Sequence, residues 1–201
     1  KALSSYFLSL GGTIETGIHV HSISELGSSK AVLFDLTPKQ ILRIAGERFS
    51  TIYKWQLQKY RYGMGVFKID WALDGAIPFI ASECRKAGTI HLGNTFEEIS
   101  ATEKLTSLGK HPEKPFVLLA QQSLFDQSRA PEGKHTAWAY CHVPNGSRVD
   151  MTNAIEKQVE RFAPGFRDLI LGRHTMNTEQ MEAYNPNYIG GDINGGSIDI
   201  S

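Results

Sequence analysis

The stretch that most constrains the fold is Gly133–Gly146, GKHTAWAYCHVPNG. Pro131-Glu132-Gly133 leads into it as a turn, and Pro144-Asn145-Gly146 closes it, so the run between them reads as one β-strand. Strand alternation puts His135, Ala137, Ala139, Cys141 and Val143 on one face. Thr136, Trp138, Tyr140 and His142 fall on the other. That second face carries two aromatic plates, a hydroxyl and an imidazole in a row, a combination that can line a substrate pocket. Trp138 and Tyr140 as ordinary packing, with His142 at a wet strand end, is the alternative.

Composition narrows the classes. With 201 residues the chain can form one large domain or two small ones, and its 41% apolar content is that of a globular protein. Lys plus Arg and Asp plus Glu number 21 each, so the formal net charge is zero, which argues against nucleic acid as a partner. No apolar run approaches the roughly 18 residues that a transmembrane helix needs, although peripheral membrane contact stays open. No signal-peptide pattern opens the chain. Cys84 and Cys141 stand far apart without CxxC spacing, which reads as two free thiols in a reducing compartment, the cytoplasm or an organelle matrix. The chain starts inside a helical pattern without Met and stops just after a glycine-rich stretch, which reads as a piece of a longer protein.

Along the chain, Leu3, Phe7, Leu8 and Leu10 recur at helical spacing before Gly11-Gly12. Thr13–Ile23 alternates as a strand pair, and Ala31–Leu36 (AVLFDL) reads as a strand buried on both faces. Thr37-Pro38 opens a helix, and another covers about Thr51–Tyr60. This succession over the first 48 residues has α/β character. Val66–Leu73 is predicted as a long strand, with Phe67, Ile69, Trp71 and Leu73 on one side and Lys68 and Asp70 on the other. Thr89–Leu92 and Phe116–Gln121 read as further strands, and Asn94 or Thr95 caps a helix to about Leu108. A helix over Ala154–Phe162 carries the stripe Ile155, Val159 and Phe162, with Glu156 and Glu160 on the opposite side.

Several chemistries have no signature. The sequence contains no GxGxxG, GxxxxGK[ST], GxSxG or HExxH motif. His19 and His21 share a strand face but no third ligand is signalled, so no metal site is expected. Gly190-Gly191-Asp192 and Gly195-Gly196 could let a backbone approach a ligand, and a loose tail would look the same. Arg129 and Lys134 could hold a carboxylate or be surface charges.

Five long stretches carry a resemblance: AVLFDLTP, GVFKIDWALDG, PFVLLAQQSLFDQSRAPEGKHTAWAYCHVPNGS, IEKQVERFAPGFRDLIL and NPNYIGGDINGG. Together they resemble the middle and later part of phytoene-dehydrogenase-like FAD-dependent oxidoreductases, of the pyridine nucleotide-disulfide oxidoreductase domain-containing protein 2 type. The resemblance implies an α+β or α/β architecture with a mixed, largely antiparallel sheet flanked by helices. By the same likeness residues 1–48 would be a piece of the FAD domain, 49–184 the substrate-binding domain, and 185–201 a Gly-rich tail leading back toward the flavin. It implies FAD in the full-length parent, though not bound to this chain alone, and hydride removal from an apolar small molecule. A binding or interaction module without independent catalysis is the alternative, and this chain by itself is expected to be inactive. Trp138 and Tyr140, with Trp71 or Lys68 from a neighbouring strand, are the candidate substrate contacts. His142 is the candidate proton acceptor, because imidazole as a residue type titrates near neutrality. Gly190, Gly191 and Asp192 are the candidate cofactor contacts. Substrate identity, electron acceptor and oligomeric state are not encoded in any of these patterns.

Overall fold

The computed structural model describes residues 1–198. The chain divides into two compact units, Lys1–Lys59 and a larger one from Tyr60 onward.

The first unit is helical and irregular. Its helices are α1 (Ala2–Ser9), α2 (Pro38–Ala45) and α3 (Thr51–Gln58). Pro38 stands at the start of α2, where its missing N–H costs nothing, and Ser50 caps α3 by accepting from the Tyr53 N–H at 3.3 Å. α2 and α3 pack on each other, and Phe49 meets Tyr53 edge-on at 5.1 Å. The strands expected over Thr13–Ile23 and Ala31–Leu36 are absent: both segments are irregular, apart from a short 3-10 turn at Ile23–Glu25. Leu33, expected at the centre of a buried strand, is 94% exposed. A strand is stabilised by a ladder beside it and a covered face, and among the described residues of this unit no strand stands alongside to provide either.

The second unit is built on β1 (Gly65–Leu73), β2 (Ile90–Leu92), β3 (Val117–Ala120), β4 (His135–Val143) and β5 (Ile170–Met176). They form one sheet in the order β2-β3-β4-β1-β5, with every pairing antiparallel. Helices α4 (Phe96–Ser107), α5 (Thr152–Phe162) and α6 (Thr178–Tyr184) flank it. This is the α+β architecture of an antiparallel sheet with helices around it.

β1 and β4 form the spine, paired without a break from Gly65 opposite Val143 to Leu73 opposite His135. That register sends Phe67, Ile69, Trp71 and Leu73 to the same side as Ala137, Ala139, Cys141 and Val143, and all are buried. Val117, Leu119, Ile90 and Leu92 extend this layer, while Ile155 and Val159 of α5, with Phe79 and Phe166, close over it. Each large side chain fully buried here contributes about 1.5–3 kcal/mol of hydrophobic stabilisation. The small residues of β4 leave room for the aromatic rings above them: Trp71 meets Phe166 edge-on at 5.1 Å.

Glu156 departs from its expected place on the solvent side of α5. It is only 6% exposed, and its Oε1 accepts from Trp71 Nε1 at 3.2 Å and Arg173 Nε at 2.8 Å. One residue after Ile155, it flanks the apolar stripe, and an indole N–H with a guanidinium makes its burial tolerable.

Candidate functional site

The face of the sheet opposite the core holds the residues that packing does not account for. Trp138, Tyr140 and His142 project there from β4 and are half-buried. The register sets Lys68 beside Tyr140 and Asp70 beside Trp138 on one flank, with Leu118 and Ala120 of β3 on the other. The rings form a continuous row. Trp138 and Tyr140 lie nearly parallel with centroids 6.3 Å apart, Tyr140 stands 5.8 Å from His142, and Phe116 stacks on His142 at 6.2 Å.

Helix α4 brings a carboxylate to one end of this row. Thr95 caps it by accepting from the Glu98 N–H, and Glu97 and Glu98 occupy the favourable first turn. Two turns on, Glu103 Oε2 lies 2.6 Å from His142 Nδ1, both side chains partly shielded from solvent. With Nδ1–H donated to the carboxylate, Nε2 is the basic nitrogen of the ring. Burial raises the Tyr140 phenol above its ordinary range, and the nearby Glu103 charge adds to it. Tyr140 is therefore a neutral hydroxyl at physiological pH, able to donate. Cys141, one residue away on the core side, is completely buried and its thiol is pushed far up by desolvation, which makes it inert.

Sequence reasoning missed Glu103, although a signal was present. Ile99, Thr102 and Thr106 mark the inward side of α4, and Glu103 follows Ile99 by one turn on that same side. A carboxylate on the covered stripe of a helix needs a partner, and His142 is that partner.

The remaining candidates lie elsewhere or are otherwise engaged. Lys68 is on the aromatic face, but its ammonium is ion-paired with Asp70 Oδ2, and His174 Nδ1 lies 4.0 Å from the same oxygen. Trp71 points into the core, so it cannot share a ligand with Trp138. Lys134 pairs with Asp74 and Arg129 with Asp126, so neither offers an unpaired cation. Among the described residues no three His, Cys, Asp or Glu side chains converge as metal ligands would, and no helix is long and apolar enough to cross a membrane.

Gly190, Gly191 and Asp192 belong to a structural knot. Asn145 Nδ2 donates to the carbonyls of Gly63 and Ile189, and the Gly146 N–H donates to the Gly190 carbonyl at 2.8 Å. Asp192 is fully buried, with Oδ2 accepting from Gly63 N at 2.7 Å and Oδ1 from Asn194 N at 2.8 Å. The Gly190 N–H goes to Glu182 and the Gly191 N–H to the Tyr188 carbonyl, both at 2.8 Å. A flavin diphosphate needs unclaimed N–H donors, and here each is taken. These three residues do not fit as a cradle for it.

No family model matches the chain, and no curated protein matches it. Among solved structures, one match is an oxidoreductase from Methanosarcina mazei, at 14% sequence identity and a TM-score of 0.39. The alignment covers 70% of this chain and 29% of that one, so the chain spans less than a third of its length.

Proposed function

We propose that the outward face of the sheet is the substrate-binding wall of an FAD-dependent oxidoreductase acting on an apolar molecule. The observation that carries this reading is the half-buried row Trp138–Tyr140–His142–Phe116, closed at one end by Glu103 on His142 Nδ1. Aromatic plates in a row offer apolar contact with a fixed orientation, and the few polar groups among them fix a ligand's position. The redox class comes from the sequence resemblance alone. A flavin would supply the electron chemistry and would be held by residues other than Gly190, Gly191 and Asp192.

This chain's own contribution is binding and proton handling. Trp138 and Tyr140 seat the substrate by stacking. His142 Nε2 accepts a proton from a carbon or hydroxyl of the bound molecule, with Glu103 holding the ring and stabilising the imidazolium that forms. Tyr140 stays protonated and supplies a hydrogen bond next to that nitrogen.

The test has two readouts. An apolar naphthylamine probe should quench indole fluorescence on binding, and Trp138→Ala should weaken its binding about tenfold, equivalent to roughly 1.4 kcal/mol. In the full-length protein, His142→Ala should cut turnover far more than flavin content. Absence of probe binding to the wild type would sink the substrate-wall reading. Probe binding with turnover indifferent to His142 would leave a binding module without chemistry on this face.

A further inference from the structure

Asn-Gly occurs twice in this chain, at Asn145-Gly146 and at Asn194-Gly195, and the fold treats the two pairs differently. Asparagine before glycine loses its side-chain amide readily, because no Cβ shields the following backbone nitrogen from the carboxamide. That nitrogen, once its proton is removed, attacks the asparagine Cγ. Both asparagines here are exposed, and both glycines have positive φ, +74° at Gly146 and +72° at Gly195. Exposure and backbone hand therefore do not separate the two pairs.

Hydrogen bonding does. Asn145 Nδ2 donates to the Gly63 carbonyl at 2.9 Å and to the Ile189 carbonyl at 3.0 Å, and the Gly146 N–H donates to the Gly190 carbonyl at 2.8 Å. There the carboxamide is clamped and the attacking nitrogen keeps its proton. At the second pair the anchors fall on other atoms. The Asn194 N–H donates to Asp192 Oδ1 at 2.8 Å, and the Gly195 carbonyl accepts from the Tyr60 hydroxyl at 2.6 Å. The Asn194 carboxamide and the Gly195 N–H have no partner among the described residues. The two groups that must react are the two that this turn leaves free.

We propose that Asn194 is a site of spontaneous deamidation, and that its product loosens the turn fastening residues 192–197 to residues 60–63. Gly195 N bonds to Asn194 Cγ, the Cγ–Nδ2 bond breaks and ammonia leaves, which closes a succinimide. Water opens that ring at one carbonyl to give aspartate or at the other to give isoaspartate. The net change replaces –NH2 by –OH, with nothing oxidised or reduced. Either product sets a new carboxylate beside Asp192, which is fully buried and accepts from the N–H of residue 194 itself. Two carboxylates so placed repel each other. Isoaspartate also lengthens the main chain by one atom between the Asp192 and Tyr60 anchors. The turn has no slack for it. Gly196 lies so close to Tyr60 that a Cβ there would stand 2.2 Å from the hydroxyl, and the Ser197 N–H is held by the Arg61 carbonyl at 2.9 Å.

The full chain, kept folded at mildly alkaline pH and physiological temperature, is sampled over weeks, digested and read by mass spectrometry. Electron-transfer fragmentation separates isoaspartate from aspartate. Asn194 should convert at least tenfold faster than Asn145, and in urea, where the clamps on Asn145 are gone, the two rates should converge. Equal rates in the folded chain, or an Asn194 that stays intact, would overturn the site. A gap that persists undiminished in urea would overturn its structural basis. Hydrogen exchange of the Gly63 and Ser197 amides, followed by NMR, reads the consequence. Asn194→Asp should raise it at least tenfold, while Asn194→Gln, a neutral amide that closes the ring poorly, should leave it unchanged. No rise in Asn194→Asp, or an equal rise in both variants, would overturn the loosening by charge. Neither readout involves the Trp138 face, so this inference and the proposed function fail independently.

Discussion

At the scale of single residues, the fold leans on carboxylates placed where backbone N–H groups would otherwise go unpaired. Glu160, near the end of α5, accepts from the Gly165 N–H through Oε1 at 2.7 Å and from the Arg167 N–H through Oε2 at 2.9 Å. It thereby ties down the turn that delivers Phe166 to the core. The Gly165 hydrogen bond, then that from Arg167, holds its carboxyl below the ordinary 4.5. Because the folded value is depressed, this group's stabilisation is fully present above pH 4.5 and is lost as pH falls through the lower folded value. Glu160→Gln should cost about 1 kcal/mol at neutral pH. It should also flatten the loss of stability below pH 4.5, as read by urea denaturation at a series of pH values. A mutant curve parallel to the wild type would remove Glu160 from the acid response. The Glu103–His142 contact makes a parallel prediction: Glu103→Gln keeps an acceptor for Nδ1–H but removes the charge that stabilises an imidazolium. Turnover of the full-length protein should fall about tenfold or more with probe binding unchanged. Equal losses in both measurements would make Glu103 a packing residue only.

At the scale of elements, legibility followed how local each decision is. β4 and β1 were readable nearly to the residue because turn chemistry bounds β4 and alternation runs through both. The face assignment of Trp138, Tyr140 and His142 came from the same period of two. Trp71 against Lys68 was likewise decided by parity, and only Lys68 shares the aromatic face. The partners of Glu103 and Glu156 were not legible, although the place of Glu103 on the covered side of α4 was, because His142 and Arg173 come from distant segments that only the sheet order and helix placement bring near. The glycine-rich tail misled for a related reason. Gly190 has φ +61°, and a Cβ there would lie 2.0 Å from Asn145 Oδ1, so the packing of the knot by itself demands glycine. Gly190→Ala should therefore destabilise strongly, by about 2 kcal/mol or more. Asn145→Ala, which removes the donor to Gly63 and Ile189, should cost roughly 1–3 kcal/mol. Thermal melts of both variants check this, and wild-type stability in either would mean the knot does not fasten the ends of β1 and β4.

At the scale of the whole molecule, order is concentrated where strands find partners. AVLFDL has the composition of a buried strand, yet composition settles only what a segment would gain from a sheet, and no strand stands beside it among the described residues of its unit. A run of similar residue types in β3, VLLA, is a strand because β2 and β4 flank it. Local opening free energy follows the number of backbone hydrogen bonds and the apolar cover that must be lost together. In β1, paired on both edges by β4 and β5 and covered by α5 and Phe166, opening requires nearly global unfolding. In residues 13–22 and 26–36, irregular and mostly exposed, it requires almost nothing. Hydrogen–deuterium exchange followed by mass spectrometry should show peptides from 13–36 fully exchanged at the first time point. Peptides spanning Phe67–Trp71 and Ala137–Cys141 should stay protected for hours, with β2, at the sheet edge and three residues long, between these limits. Protection of 31–36 comparable to that of β3 would mean that this segment has a strand partner in solution, and the reading of the first unit as helical and irregular would fall with it.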